Sequence, residues 1–321
     1  MHTLRYLGIE IGGTKLQLVA GSGTGEILET LRFAAASQGG AAAIRDQISA
    51  GIGELLKGGP VAGVGVGFGG PVDWQSGRIC KSHQVEGWSG FDMRGWLTGM
   101  VSAPVWMDND ANVAALGEAV CGAGVGLDPV FYITLGSGVG GGLVLGGGIY
   151  HGQIPGEAEI GHVRLDRKGT TVESRCAGWA LDRRIREQIR QTPSGALWRL
   201  ASSGGGGEAR HLGAAVSEGD PAAVGIFSEL TEDLGFALSH VTHLFHPGVV
   251  ILGGGVASLG EMLREGVQKE LQRHLMDAFA PGPAVRLAGL GERAVPVGAL
   301  LLAGMGGTRG TASFPPFEVA G

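Results

Sequence analysis

Cysteine is scarce in this chain: three residues in 321 (Cys80, Cys121 and Cys176), far apart and without a CxxC pair. They build no disulfide framework, so the expected setting is a reducing cytoplasm. Long basic runs are missing as well. Twenty-four basic residues face 30 acidic ones, a formal charge of −6, which argues against a nucleic-acid surface as the main business. No apolar run is long enough to span a bilayer, and no basic-then-apolar leader precedes the first strand pattern, so neither membrane nor secretion is expected.

Glycine, by contrast, is abundant, with 63 residues in a chain that is 44% apolar. Disorder does not fit that balance, and the glycines lack the collagen period. They cluster at the ends of apolar runs, which points to backbone brought close to ligands or to other backbone. The length suggests two domains with ample core.

Residues 4–20 (LRYLGIEIGGTKLQLVA) alternate on both sides of Gly12-Gly13-Thr14, a β-hairpin with a glycine turn. A third strand is expected from Glu26 to Phe33, then a helix burying Ile44, Ile48, Ile52 and Leu55, then a buried strand within 61–73. The segment Asp92 to Leu97 reads as a short helix. Val105, Trp106 and Met107 read as a strand end, followed by Asp108, Asn109 and Asp110 and by a helix with one apolar face, Val113, Leu116 and Val120. Two carboxylates and an amide thus sit where a strand meets a helix, a place where open α/β proteins bind ligands. Taken alone, Asn109 or Asp110 is more often a helix cap than a catalyst.

From Val130 the opening pattern restarts, since 131–152 again reads strand, glycine turn, strand, glycine turn, strand. An internal duplication follows, two related domains each opening with a hairpin. A helix is expected from about Leu181, and 202–208 (SSGGGGE) reads as a flexible link. The longest helix should start at Asp220-Pro221 and present Val224, Phe227, Leu230, Leu234, Leu238, Val241 and Phe245 on one face. A buried strand then runs into Gly253-Gly254-Gly255, a capping box of Ser258 with Glu261 opens the next helix, and an apolar helix from Val295 to Met305 ends the pattern, with a loose tail after Gly310.

Backbone N–H groups of a glycine turn can converge on an anion. Three such turns follow strands: Gly12-Gly13-Thr14-Lys15, Gly136-Ser137-Gly138-Val139-Gly140-Gly141 and Gly253-Gly254-Gly255. There is no GxxxxGK[ST], and the turn at 136–141 runs into a strand, so neither a P-loop nor a dinucleotide fingerprint fits. One glycine turn is a weak signal. Two hairpin turns of one type, in two halves, with an acidic strand end between them, point to a nucleotide whose phosphates lie in a cleft between duplicated domains.

The pieces GIEIGGTK (8–15), FGGPVD (68–73), DNDANVAALGEA (108–119), ITLGSGVGGGLV (133–144), GEAEIGH (156–162), AVSEGDP (215–221) and VVILGGGVA (249–257) span nearly the whole chain. In that order the set resembles the ROK family of bacterial sugar kinases and repressors, within the hexokinase/actin-like ATPase superfamily. The resemblance implies an α/β fold of two duplicated ribonuclease H-like domains around an interdomain cleft. It places the domains at 1–112, with a C-terminal helix 295–306 returning to it, and at 113–294. Only six residues precede the first hairpin, where repressors of the family carry a helix-turn-helix, so a kinase is expected.

Carried over, Asp110 is the catalytic base for a sugar hydroxyl, and Gly70, Asn109, Glu159, His162 and Asp182 bind the sugar, Asp182 within a residue of the family's glutamate. Gly12, Gly13, Thr14, Lys15, Gly136, Ser137 and Gly138 hold the phosphates of ATP, and Gly254 and Gly255 lie against the adenosine. Glu10 acts on Mg²⁺ through water. The implied activity is ATP-dependent phosphorylation of a hexose or N-acyl hexosamine at the 6-hydroxyl, by a cytoplasmic homodimer.

Three departures stand out. The family has Asp where this chain has Glu10, which lengthens the carboxylate arm by roughly one bond. Its sugar loop reads Asn-Leu-Pro-Gly-Trp, whereas here it is Gln84-Val85-Glu86-Gly87-Trp88. Of its zinc-binding cysteine cluster only Cys176 remains after His162, which does not close a tetrahedral site, so no zinc is expected. Without zinc His162 could be structural, but Glu159 three residues earlier favours a sugar contact; the other histidines after His2 are expected at the surface or at caps. These departures motivate a rival, a sugar-binding sensor without catalysis. Asp110 and both phosphate turns count against it, and the Glu159–His162 segment counts against an acetate- or glycerol-type kinase.

Overall fold

The computed structural model describes residues 4–13, 15–34, 39–81, 85–156, 158–202 and 204–306. The chain forms strands β1 (Arg5–Ile11), β2 (Lys15–Ser22) and β3 (Ile27–Ala34), then helix α1 (Gly40–Leu55) and strand β4 (Gly63–Phe68). A short ribbon, β5 (Val72–Asp73) and β6 (Arg78–Ile79), leads to α2 (Met93–Val101), β7 (Val105–Asn109) and α3 (Asp110–Cys121). Strands β8 (Val130–Leu135), β9 (Val139–Leu145) and β10 (Gly148–Ile149) follow. Helices α4 (Val172–Cys176), α5 (Gly178–Gln191), α6 (Gly195–Ala201), α7 (Leu212–Ser217) and α8 (Pro221–Phe245) come next. Strand β11 (Val249–Gly253), helix α9 (Glu261–Arg273), strand β12 (Ala284–Leu287) and helix α10 (Ala294–Gly304) complete the order.

Two compact units emerge. The first takes the described residues up to Cys121, from Val144 to Gly156 and from Arg293 on; the second takes Gly122–Leu143 and Ala158–Glu292. Unit 1 is built on a sheet of order β3-β2-β1-β4-β7, in which β3, β2 and β1 are antiparallel and β1, β4 and β7 parallel. The second sheet repeats the plan as β10-β9-β8-β11-β12, with β8, β11 and β12 parallel. The same sequence of ribbon and parallel strands, twice, is the duplication that the two glycine hairpins announce.

Apolar spacing explains most of unit 1. Ile44, Ile48, Ile52 and Leu55 of α1 are buried as their period requires, and Asp92 caps α2 by accepting the Gly95 N–H at 2.9 Å. Helix α3 departs from expectation. All residues from Ala111 to Glu118 are buried, whereas Val120 is exposed, so the helix is enclosed rather than one-sided. The cause is α10, which packs on α3, β1 and β4. A Cβ at Gly298 would run into the Val113 carbonyl, and one at Gly117 into the Ala294 carbonyl. Only glycine lets these two helix backbones approach so closely.

In unit 2, Asp220 caps α8 by accepting the Ala222 and Ala223 N–H groups at 2.9 and 3.1 Å, and it also accepts the Leu197 N–H of α6 at 2.9 Å. Leu230, Leu234, Leu238 and Val241 are buried as expected, but Val224 and Phe245 at the ends of the stripe are exposed and Ala223 and Ile226 are buried in their place. The Ser258–Glu261 capping box does not form: α9 starts after Gly260 without a side-chain cap, and Ser258 Oγ donates to the Gly255 carbonyl instead. Helix α5 begins at Gly178, three residues before the expected start, and the glycine run 202–208 ends in the buried Glu208. Among the described residues no helix is long and apolar enough to cross a membrane. The tail after Gly310 lies outside the described residues.

Candidate active site

The parallel strands of unit 1 end in register, Ile11 beside Phe68 and Phe68 beside Asn109. Gly12, Gly69 and Asp110, the next residues of each strand, therefore leave the sheet along its carboxyl edge, where open α/β sheets bind ligands. Their closeness is measurable at Gly69: a Cβ added there would lie 3.3 Å from Asp110 Oδ2 and 3.5 Å from Gly12 Cα. Strand β7 runs two residues beyond the expected end at Met107 and delivers Asn109 and Asp110 directly to α3. Asn109 is the cap. Its Oδ1 accepts the Ala111 N–H at 2.9 Å, while its Nδ2 donates to the Gly70 carbonyl at 3.2 Å. That bond joins Gly70 to the acidic junction.

Around the first glycine turn, the Gly12 N–H donates to the Lys15 carbonyl at 2.9 Å, and Gly13 is half-buried beside it. Thr14 and Gln84 lie outside the described residues. Glu10 Oε2 accepts from Gln17 Nε2, its register partner across the hairpin, at 3.0 Å and lies 3.3 Å from the Lys15 ammonium. Among the described residues no group of three or more His, Cys, Asp or Glu could hold a metal ion. Magnesium is ordinarily held by one or two carboxylates with waters and substrate phosphates, and a single strand-end carboxylate such as Glu10 fits that pattern.

Beside Asp110 the structure reveals a pair that sequence spacing does not show. Asp108 is buried and accepts from the Asn109 N–H at 2.8 Å, from Asn112 Nδ2 at 3.0 Å and from His151 Nε2 at 2.6 Å. His151, expected at the surface or at a cap, has a side chain only 4% exposed and stacks on Trp74 at 4.1 Å and 15°.

In unit 2, Gly253 pairs with Thr134, so Gly136 and Gly254 leave neighbouring strands at one edge. Gly254 has φ 80°, and a Cβ there would meet the Leu135 backbone at 2.6 Å. These turns open onto a cavity of about 530 Å³ lined by Gly136, Ser137, Trp179, Asp182, Arg210 and Gly255, among others. That volume lies in the range of small-ligand sites. The glycine walls leave the backbone accessible: a Cβ at Gly255 would meet nothing within 4 Å. Asp182 belongs to the same wall, and its carboxylate accepts the Gly207 and Ala209 N–H groups at 3.2 and 2.7 Å.

Gly138 ends the second turn next to Glu173, whose Oε2 accepts the Val139 N–H at 2.9 Å. Gly161 packs on the Val139 carbonyl, which places the Glu159–His162 turn beside the same strand. Burial raises the Glu159 carboxyl above its ordinary value, His162 opposes the shift and Glu173 adds to it. Cys176 is fully buried, and burial pushes its thiol well up, so it behaves as a small apolar side chain. The short α4 that carries it is held by charge. Arg175 bonds Asp233 and Glu229 of α8, each at 2.7 Å, and Arg184 of α5 bonds Glu229 at 2.5 Å.

Comparison with known proteins agrees with this architecture. A glucokinase of Streptomyces coelicolor is 32% identical over 92% of this chain and 96% of its own length. A kanosamine kinase of Amycolatopsis mediterranei is 32% identical over 95% of this chain and 98% of its own. The crystal structure of a ROK family glucokinase from Streptomyces griseus in complex with glucose and AMPPNP superposes with a TM-score of 0.81 at 34% identity, covering 93% of this chain and 99% of that one. The fold is thus the duplicated α/β fold of the actin-like ATPases. The ROK family model matches residues 6–305, and the chain belongs to the ROK family.

Proposed function

We propose that this ROK-family chain is an ATP-dependent sugar kinase that phosphorylates a hexose or N-acyl hexosamine at its 6-hydroxyl, with Asp110 as general base. The observation that carries the reading is the strand-end edge of unit 1, where the Asp110 carboxylate, Gly69 and the first glycine turn come together. Glucokinase and kanosamine kinase relatives of nearly full length support the sugar acceptor, and the complex of a related glucokinase with glucose and AMPPNP supports ATP as donor.

Phosphoryl transfer asks little covalent chemistry of a protein; it needs positioning, charge neutralisation and a base near the attacking oxygen. Asp110 takes the proton of the 6-hydroxyl as that oxygen attacks. Asn109, fixed by its cap and by Gly70, contacts the sugar with Gly70, and Glu159 and His162 take further hydroxyls. A buried polar group left unpaired costs about 1–3 kcal/mol, which is how such contacts select a sugar. Gly12, Gly13, Thr14 and Lys15 hold phosphate oxygens through N–H groups and an ammonium, as do Gly136, Ser137 and Gly138, while Gly254 and Gly255 face the adenosine. Asp182 lines the cavity beside Gly136 and Gly255, and in this reading its carboxylate fixes that wall rather than contacting the sugar. Magnesium bound with the nucleotide supplies neutralising charge, and Glu10 is the residue that would hold it, through water. The same resemblance carries the proposals of a cytoplasmic setting and a homodimer.

A panel of hexoses and hexosamines with coupled detection of ADP tests the reading. ADP release that depends on at least one sugar supports it. Sugar binding without ADP release across the whole panel would make the chain a sensor.

A further inference from the structure

The bond between Asp108 and His151 has no part in the reaction just proposed, yet it is one of the most enclosed polar contacts of unit 1. Both side chains are 4% exposed and their atoms lie 2.6 Å apart. Asp108 directly precedes the two residues assigned to the acceptor. Its Oδ1 takes the Asn109 N–H and Asn112 Nδ2, one from each side of the strand–helix junction, leaving Oδ2 to His151.

His151 is itself held. It stacks on Trp74, whose carbonyl accepts from Arg94 Nη2 at 2.9 Å, while Arg94 Nε donates to the Val105 carbonyl at the start of β7. Trp74 follows the Gly69-Gly70 turn and β5 by sequence. The pair therefore joins β7, the strand that leads into Asp110, to the segment that follows Gly70, the residue bonded by Asn109.

We propose, resting on the kinase reading, that His151 is a positioning residue. Through Asp108 it fixes the strand–helix junction so that Asn109 and Asp110 meet the sugar hydroxyl in reactive geometry. A ring N–H donates and a carboxylate oxygen accepts, so with His151 Nε2 at 2.6 Å the buried carboxylate has three donors of fixed direction. Without the third, the carboxylate is free to turn and the junction follows it. Binding of sugar and nucleotide draws on many other groups, so the effect falls on turnover.

Steady-state kinetics of His151→Leu and His151→Gln against the wild type test this. Gln keeps an N–H donor within reach of Asp108. For His151→Leu the expectation is a fall in kcat of about 10²-fold, the usual consequence of misplacing a reacting group by about 1 Å, with both KM values within about twofold. His151→Gln should recover most of the loss. Unchanged kcat in His151→Leu overturns the inference, as does a KM for sugar that rises in step with the loss, or a Gln variant no better than Leu. Should the wild type transfer no phosphate to any sugar, the kinase reading fails by itself. The positioning claim is then decided by amide hydrogen exchange at Asn109: faster exchange in His151→Leu with global unfolding unchanged supports it, and unaltered protection refutes it.

Discussion

Asp182 is where position in the chain and position in space part company. Its carboxylate accepts two backbone N–H groups 25 and 27 residues away and so shapes the cavity beside the second glycine turn, the proposed nucleotide site. Asp182→Ala is expected to raise the KM for ATP by about tenfold, equivalent to about 1.4 kcal/mol of binding, and to leave the KM for sugar within about twofold. A sugar-binding role would show the opposite pattern in the same kinetic experiment. Asp220 is a second residue whose value lies in what it accepts. Burial works to raise its carboxyl, but the N–H groups of Leu197, Ala223 and Ala222 outweigh it and hold the folded value below the ordinary 3.8. A depressed carboxylate stabilises the fold above its unfolded pKa, and that stability disappears as pH falls through the folded value. Asp220→Ala should cost about 2 kcal/mol at neutral pH, the upper end for a cap, and the difference from wild type in urea melts should shrink toward the acid limit of the fold. The cap was legible in the Asp-Pro step. The bonds of Asp182, Glu173 and His151 were not, because their partners are separated by 25 to 43 residues and no local period encodes them.

Among elements, α3 and α10 illustrate a feature that composition announces without locating. The abundance of glycine implies close backbone contacts, but only the packed structure assigns them to Gly117 and Gly298 between these helices. Gly298→Ala places a methyl against the Val113 carbonyl, a backbone group that cannot swing aside as a flexible side chain would. A loss of about 1–3 kcal/mol or more is expected in chemical denaturation, whereas Gly53→Ala, where an added Cβ meets nothing within 4 Å, should be neutral or mildly stabilising. The long helices were read correctly from their cores and misread at their ends. Val120, Val224 and Phe245 obey the helical period but lie where neighbouring elements stop covering it. Capping signals behaved alike: Asp220 and Asp92 cap, whereas Ser258 bonds within its own turn.

Over the whole chain, the repeated sheet order explains why two glycine hairpins were so informative. Each follows a strand whose parallel neighbours end at the same edge, so each presents bare backbone there, one beside Asp110 and one beside the cavity lined by Gly136 and Gly255. The kinase reading depends on Asp110 being the base of that chemistry. The most direct test compares Asp110→Asn with the wild type in sugar-dependent ADP release and, separately, in equilibrium sugar binding. The account predicts near-complete loss of turnover with sugar affinity mostly retained; wild-type turnover by the Asn variant would contradict it.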